Sequence, residues 1–266
     1  MPKIAVVQMN SQENIKQNLN IALTLIHKAV KENVDLVVLP ENFLYIGNDK
    51  DICFSINSHE LNTIKQIAKE SSTLILAGSF PEDNPSGKPY NTSILVDRQG
   101  HTIATYRKIH LFDVKIGDSQ EFRESSYVTP GEKIVSAKTD IGKIGLTICY
   151  DLRFPELYRN LALSACQTIV VPSNFATKTG KDHWLTLLKA RAIENGTYIL
   201  APNQYGKKYD GNLSYGHSAI IDPWGTLIAQ SSDLEDAIIY ADLDMDYVRK
   251  VRETIPNLKH IKIRSL

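Results

Sequence analysis

One stretch constrains the fold of this chain more than any other: Gly142-Lys143-Ile144-Gly145-Leu146-Thr147-Ile148-Cys149-Tyr150-Asp151-Leu152-Arg153-Phe154-Pro155-Glu156. Its first half is apolar and β-branched and reads as a strand buried on both faces. Its second half opens a helix. Pro155 suits the first helical position, and Glu156 sets negative charge against the positive end of the helix dipole. Cys149 falls where strand gives way to helix. A thiol there is carried on a rigid element and faces a helix N-terminus, which predicts a lowered thiol pKa. The Tyr150 backbone N–H can point at an oxyanion formed on a carbonyl that the sulfur attacks. A buried structural cysteine at a strand end is the competing reading.

Similar runs recur along the chain. Residues 3–9, 34–39, 73–80, 167–171, 197–201 and 237–243 read as strands. Residues 15–32, 58–71, 155–164, 181–194 and 244–253 read as helices, several with one apolar face at helical spacing. Residues 90–97 and 101–106 form a hairpin about Arg98-Gln99-Gly100, and residues 134–138 pair with 142–148. Residues 214–221 read as one strand, joined to 227–230 by the turn Asp222-Pro223-Trp224-Gly225. Residues 113–131 show no convincing periodicity, and loops of that length inside a compact domain are uncommon unless functional. The pattern predicts one α/β domain over residues 1–266, with two sheets and helices outside them. An ordinary doubly wound sheet satisfies the same pattern.

Composition narrows the function. Among 266 residues, 30 Lys and Arg balance 30 Asp and Glu. Zero net charge argues against a general role on nucleic acid or a membrane surface. Cys53, Cys149 and Cys166 are odd in number, with no CxxC pair. That predicts free thiols in a reducing compartment, and no zinc site. With no secretory pattern and no apolar run long enough to span a bilayer, the expectation is a soluble cytoplasmic protein. No glycine-rich phosphate loop follows the first strand, so no nucleotide cofactor is expected.

Glu41 and Lys108 stand like Cys149, each just past a predicted strand, where active sites of α/β folds gather. A thiol nucleophile needs a base, which Glu41 can be, and its tetrahedral intermediate needs positive charge, which Lys108 can supply. As an isolated triplet the pattern also fits solvated loop residues. Three words carry more: Leu39-Pro40-Glu41-Asn42-Phe43, Tyr106-Arg107-Lys108-Ile109-His110-Leu111-Phe112-Asp113, and Ile148-Cys149-Tyr150-Asp151-Leu152-Arg153-Phe154-Pro155-Glu156-Leu157. In order and spacing they resemble the nitrilase superfamily of carbon–nitrogen hydrolases. The resemblance implies a four-layer αββα sandwich, with Glu41 as general base, Lys108 as oxyanion-stabilising lysine and Cys149 as nucleophile. It places a second glutamate at Glu124 in preference to Glu121, to position Lys108 or the attacking water. It also implies a homodimer or higher homo-oligomer, with the tail at residues 255–266 packing on a partner.

Arg191-Ala192-Ile193-Glu194-Asn195, Tyr215-Gly216-His217-Ser218 and Asp222-Pro223-Trp224-Gly225 are similar to the amidase branch that includes the ω-amidases and the deaminated-glutathione amidases. That branch implies a small-molecule amide of a keto acid as substrate. Arg153 is then the cation for its carboxylate, since a guanidinium grips a carboxylate with two hydrogen bonds. The resemblance lines the pocket further with Tyr150, Phe175 and Thr179. Arg153 could instead pair with Asp151 or Glu156, Phe175 could be core, and Thr179 could cap a helix. Asn174 and residues 207–213 depart from the branch's pattern. A catalytically silent binding subunit is the reading from another class. His183 and His217 suggest a Cys-His protease, although a structural role accounts for both.

Overall fold

The computed structural model describes residues 1–116 and 120–263. Its elements in chain order are β1 (Lys3–Gln8), α1 (Ile15–Val30), β2 (Leu36–Val38), α2 (His59–Ser71), β3 (Leu74–Glu82), β4 (Tyr90–Val96), β5 (Thr102–Arg107), β6 (Asp113–Ile116), β7 (Gln120–Arg123), β8 (Val135–Thr139), β9 (Gly142–Leu146), α3 (Pro155–Leu163), β10 (Thr168–Val170), α4 (Thr177–Asn195), β11 (Tyr198–Ala201), β12 (Tyr205–Lys207), β13 (Leu213–Tyr215), β14 (Ala219–Ile221), β15 (Leu227–Gln230), β16 (Ala237–Asp242) and α5 (Met245–Thr254). Among the described residues, two six-stranded sheets run β16-β1-β2-β3-β4-β5 and β8-β9-β10-β11-β14-β15. The two have the same plan. Each holds three adjacent parallel strands, β1–β2–β3 or β9–β10–β11. One antiparallel strand flanks the trio on one side and an antiparallel pair on the other.

The unbroken apolar character of these strands has a direct cause. Along β1, Ile4 and Val6 face the second sheet, while Ala5 and Val7 face the helices. A strand covered on both sides needs no polar face, so its sequence does not alternate. Helix α1 lays Ala22, Leu25, Ile26 and Ala29 on the first sheet, and α2 adds Leu61, Ile64, Ile67 and Ala68. Helices α3 and α4 cover the second sheet through Leu157, Tyr158 and Leu161 and through Trp184, Leu188 and Ala192. The layers are therefore helix, sheet, sheet, helix, the sandwich that the sequence resemblance implied. Asn14 and Ser58 start α1 and α2 by accepting the N–H groups of Gln17 and Leu61. No helix among the described residues is long and apolar enough to cross a membrane.

Three expectations need correction. Residues 214–221 are not one strand, because Gly216 and His217 take φ of 65° and 54° and turn the chain between β13 and β14. Helix α4 begins at Thr177, not residue 181. Gly180 is a poor helix former, but α4 needs it there: a Cβ would lie 2.4 Å from the Tyr215 ring. Residues 113–131 contain the β6–β7 hairpin and a short 3₁₀ turn, Glu124–Ser126. This hairpin joins neither large sheet and so lacks the long apolar run that marks a core strand. Residues 117–119 lie outside the described residues. The start of the expected tail packs on its own chain, where the Asn257 side-chain amide donates to the Glu194 carbonyl at 2.8 Å. Residues 264–266 also lie outside the described residues.

The fold brings strand ends together at one seam. Strand β5 is antiparallel to β4, which is antiparallel to β3, so β5 leaves the sheet at the same edge as β1–β3. That edge meets the carboxyl edge of the second sheet through the bridge pairing Met9, just past β1, with Gln204, just past β11. A close backbone approach shapes the seam. A Cβ on Gly78 in β3 would stand 2.0 Å from the Pro40 carbonyl oxygen, immediately before Glu41. Gly78→Ala must push that segment away, and overpacking of this kind costs about 1–3 kcal/mol or more. Denaturant unfolding should show that loss together with reduced activity. A loss under about 0.5 kcal/mol would mean the segment has room.

Candidate active site

Glu41 follows β2 by three residues and is 3% exposed. One carboxylate oxygen accepts the Asn91 side-chain amide at 2.9 Å, and the other accepts the Asn174 backbone N–H at 2.8 Å. Gln204 donates to the Glu41 carbonyl at 2.9 Å. Asn174, a departure from the branch's pattern, thus reaches Glu41 through its main chain, which any residue but proline supplies. Its side-chain oxygen accepts from the Ser214 hydroxyl.

Lys108 follows β5 directly and is 2% exposed. Its ammonium donates to Glu41 at 3.0 Å and to both Glu124 oxygens at 3.1 and 2.9 Å. Burial alone would push the ammonium down. The charges of Glu124 and Glu41 and the nearby Cys149 outweigh it, and Lys108 is held well above its ordinary range. Glu124 is fixed in turn by the Phe112 N–H at 2.6 Å and by Asn91 at 3.3 Å. Glu121 pairs instead with Arg123 on its own hairpin.

Cys149 is the third member. Its φ is +45°, a left-handed conformation that costs a non-glycine residue about 1–2 kcal/mol. The surroundings offset that cost. Cys149 N–H donates to the Pro172 carbonyl at 2.9 Å. The fully buried Asp151 carboxylate accepts the Ile148 N–H at 2.9 Å, the Tyr106 hydroxyl at 2.6 Å, the His110 N–H at 3.1 Å and the His110 Nδ1–H at 2.7 Å. Hydrogen bonds to a charged acceptor contribute about 1.5–3 kcal/mol each, so this set can hold the elbow. Arg191 of α4 braces the same turn by donating to the Leu152 carbonyl at 3.0 Å.

The expectation of a lowered thiol pKa does not hold. Burial and the charge of the Glu41 carboxylate push Cys149 well up; Lys108 and the Asn174 main chain pull the other way and lose. The residue opens a short 3₁₀ turn, Cys149–Arg153, and not a long helix whose dipole would favour the thiolate.

A cavity of about 720 Å³ opens over these groups, with Glu41, Lys108 and Cys149 buried at its floor. Tyr150, Arg153, Phe175 and Thr179 line its wall. Arg153 pairs with neither Asp151 nor Glu156. Its guanidinium lies 5.3 Å from the Phe175 ring centre and 5.9 Å from that of Tyr150, with the His183 ring 3.3 Å from Nη1. Phe175 does two jobs: it is 4% exposed and also packs on Trp184. The Thr179 hydroxyl donates to the carbonyl of Ala176, the residue before α4. Neither His183 nor His217 lines the cavity. Residues 207–213 form the turn of the β12–β13 hairpin, with only Lys207 and Leu213 in its strands. Its Lys208 is 6% exposed and donates to the side-chain oxygens of Asn10 and Gln204. Burial pulls Lys208 down to about 7, with Asp236 and Asp210 opposing.

A family model described as carbon-nitrogen hydrolase matches residues 3–253. The chain belongs to that family. This carbon–nitrogen hydrolase, a member of the nitrilase superfamily, is 40% identical over 263 residues to a deaminated glutathione amidase of Synechocystis, covering 96% of each chain. Among solved structures it is similar to the NitFhit protein of C. elegans, with a TM-score of 0.93 and 35% identity, covering 98% of this chain and 65% of that one. It is also similar to Saccharomyces cerevisiae Nit3, described as a member of branch 10 of the nitrilase superfamily, with a TM-score of 0.86 and 33% identity over 96% of this chain and 94% of that one. The chain is thus a hydrolase acting on carbon–nitrogen bonds.

Sequence reasoning missed Asn91, which bridges the two glutamates, and the bracing role of Asp151. Only its place two residues past the cysteine pointed to Asp151. Nothing in the sequence pointed to Asn91. The thiol of this hydrolase should rest protonated. The ultraviolet thiolate absorbance lost in Cys149→Ala should show no titration step below about pH 8, where a free thiol already begins to ionise. A step near neutrality would contradict the raised Cys149.

Proposed function

We propose that the chain is a thiol amidase that hydrolyses deaminated glutathione to α-ketoglutarate and cysteinylglycine. The observation that carries the reading is the burial of the Cys149 thiol, the Glu41 carboxylate and the Lys108 ammonium together on the floor of a cavity with an arginine in its wall. Cys149 sulfur attacks the amide carbonyl carbon while its proton passes to Glu41. The carbonyl oxygen becomes an oxyanion beside the Lys108 ammonium and the Tyr150 N–H. Such preorganised charge is worth most in a dry site. The C–N bond then breaks, Glu41 returns the proton to the leaving nitrogen, and a thioester remains. Water attacks the thioester as Glu41 takes a proton from it. The C–S bond breaks and the proton goes back to sulfur.

Two further features support the substrate. Arg153 has no carboxylate partner among the described residues, so it is available to the keto-acid carboxylate. The Synechocystis relative carries the name of this activity over nearly the same length of chain. The test is α-ketoglutarate release from deaminated glutathione by the purified protein. Cys149→Ala should keep the fold and lose at least about 10³-fold in kcat; appreciable residual turnover would remove Cys149 from the mechanism. Arg153→Ala should raise KM for keto-acid amides about tenfold or more, the value of a charge-assisted pair, and leave simple amides nearly unchanged. Equal effects on both would make Arg153 structural.

A further inference from the structure

The cavity lining includes a further cation, Lys50, that the catalytic reading does not use. Lys50 comes from the loop after β2, Tyr127 from the segment after β7, and Tyr209 from the β12–β13 hairpin, and all three are exposed lining residues of the cavity. They therefore form part of its rim, above the buried floor. The Lys50 ammonium stands 4.8 Å from the Tyr127 ring centre and 5.4 Å from that of Tyr209. It donates to the Gly47 carbonyl at 2.7 Å and the Tyr209 hydroxyl at 3.2 Å. An ammonium has three donors, and among the described residues no acceptor takes the third. No carboxylate there lies within ion-pair distance either, although several are close in sequence or on the same wall. Three of them have other partners. Asp49 accepts the Asp51 N–H, Asp210 accepts from Asn212, and Glu121 pairs with Arg123. Lys50 is thus held in place by two rings and a carbonyl while its charge stays unneutralised.

This corner shares no contact residue with the Arg153 corner, which is built from Tyr150, Phe175 and His183. The cavity therefore presents two separate cations over aromatic faces, with the thiol on the floor. We propose that Lys50 forms a second carboxylate subsite, which holds an acid group on the leaving amine while Arg153 holds the acid group of the acyl half. The inference rests on the amidase reading above and narrows its substrate class to amides with a carboxylate on each side of the scissile bond. Amides whose leaving group is ammonia cannot use the rim subsite.

The experiment compares wild type and Lys50→Met on three amides sharing one acyl half: deaminated glutathione, the same compound with its glycine carboxylate converted to a carboxamide, and α-ketoglutaramate, which releases ammonia. Lys50→Met should lose about tenfold in kcat/KM on deaminated glutathione, mostly in KM, and little on the other two. Wild type should lose a similar factor when the glycine carboxylate is masked, and the variant should not. Equal losses by the variant on all three would make Lys50 a loop anchor and overturn the subsite while leaving the amidase reading intact. Wild type inactive on all three would overturn that reading, and the subsite with it.

Discussion

A single ammonium, that of Lys108, sits in the gap between two sheets with a carboxylate on either side. Taking a charge out of water costs several kcal/mol, and only well-placed partners offset it. Glu41 and Glu124 supply three oxygens between 2.9 and 3.1 Å from it. The arrangement also sets the chemistry available to the sulfur. A thiolate formed beside two carboxylates would add a third negative charge to a cluster with one cation. Handing the proton to Glu41 instead moves charge within the cluster and leaves its sum unchanged. In the proposed mechanism a base at that position keeps the charge of the cluster constant.

Asp151 joins the two halves of this arrangement. Its carboxylate takes donors from Ile148, next to the cysteine, and from Tyr106 and His110, which bracket Lys108. The strained Cys149 backbone and the strand end that presents the lysine are thus fixed to one buried group. His110 also stacks on Phe154, ring centres 3.6 Å apart, and so ties the same strand end to the start of α3. Displacing any one of these elements shifts the others.

Much of this was legible in the sequence for identifiable reasons. Strands buried on both faces leave continuous apolar runs, so β1, β3 and β10 stood out, and the residues after β2, β5 and β9 drew attention to Glu41, Lys108 and Cys149. Glu124 was legible only through the family resemblance, because it lies in a 3₁₀ turn after a small hairpin that leaves no core pattern. Asn91 was not legible at all. It sits inside β4 and contributes a side-chain amide between two acids, a relationship that exists only in three dimensions. The resting state of the thiol is not legible in the sequence, because a single 3₁₀ turn lacks the dipole of a long helix, while loss of solvent and the nearer carboxylate decide the matter.

The matching strand plans of the two sheets have one more consequence. Glu41 and Lys108 ride on the first sheet and Cys149 on the second, so in the proposed mechanism the proton acceptor and the atom that gives up the proton belong to different halves of the chain. Proton transfer between them needs hydrogen-bond geometry, which tolerates only a few tenths of an ångström. Turnover then works as a vernier for the alignment of the two halves. A slip too small to change helix content or strand pairing would already separate donor from acceptor, and loss of rate would precede any spectroscopic sign of unfolding.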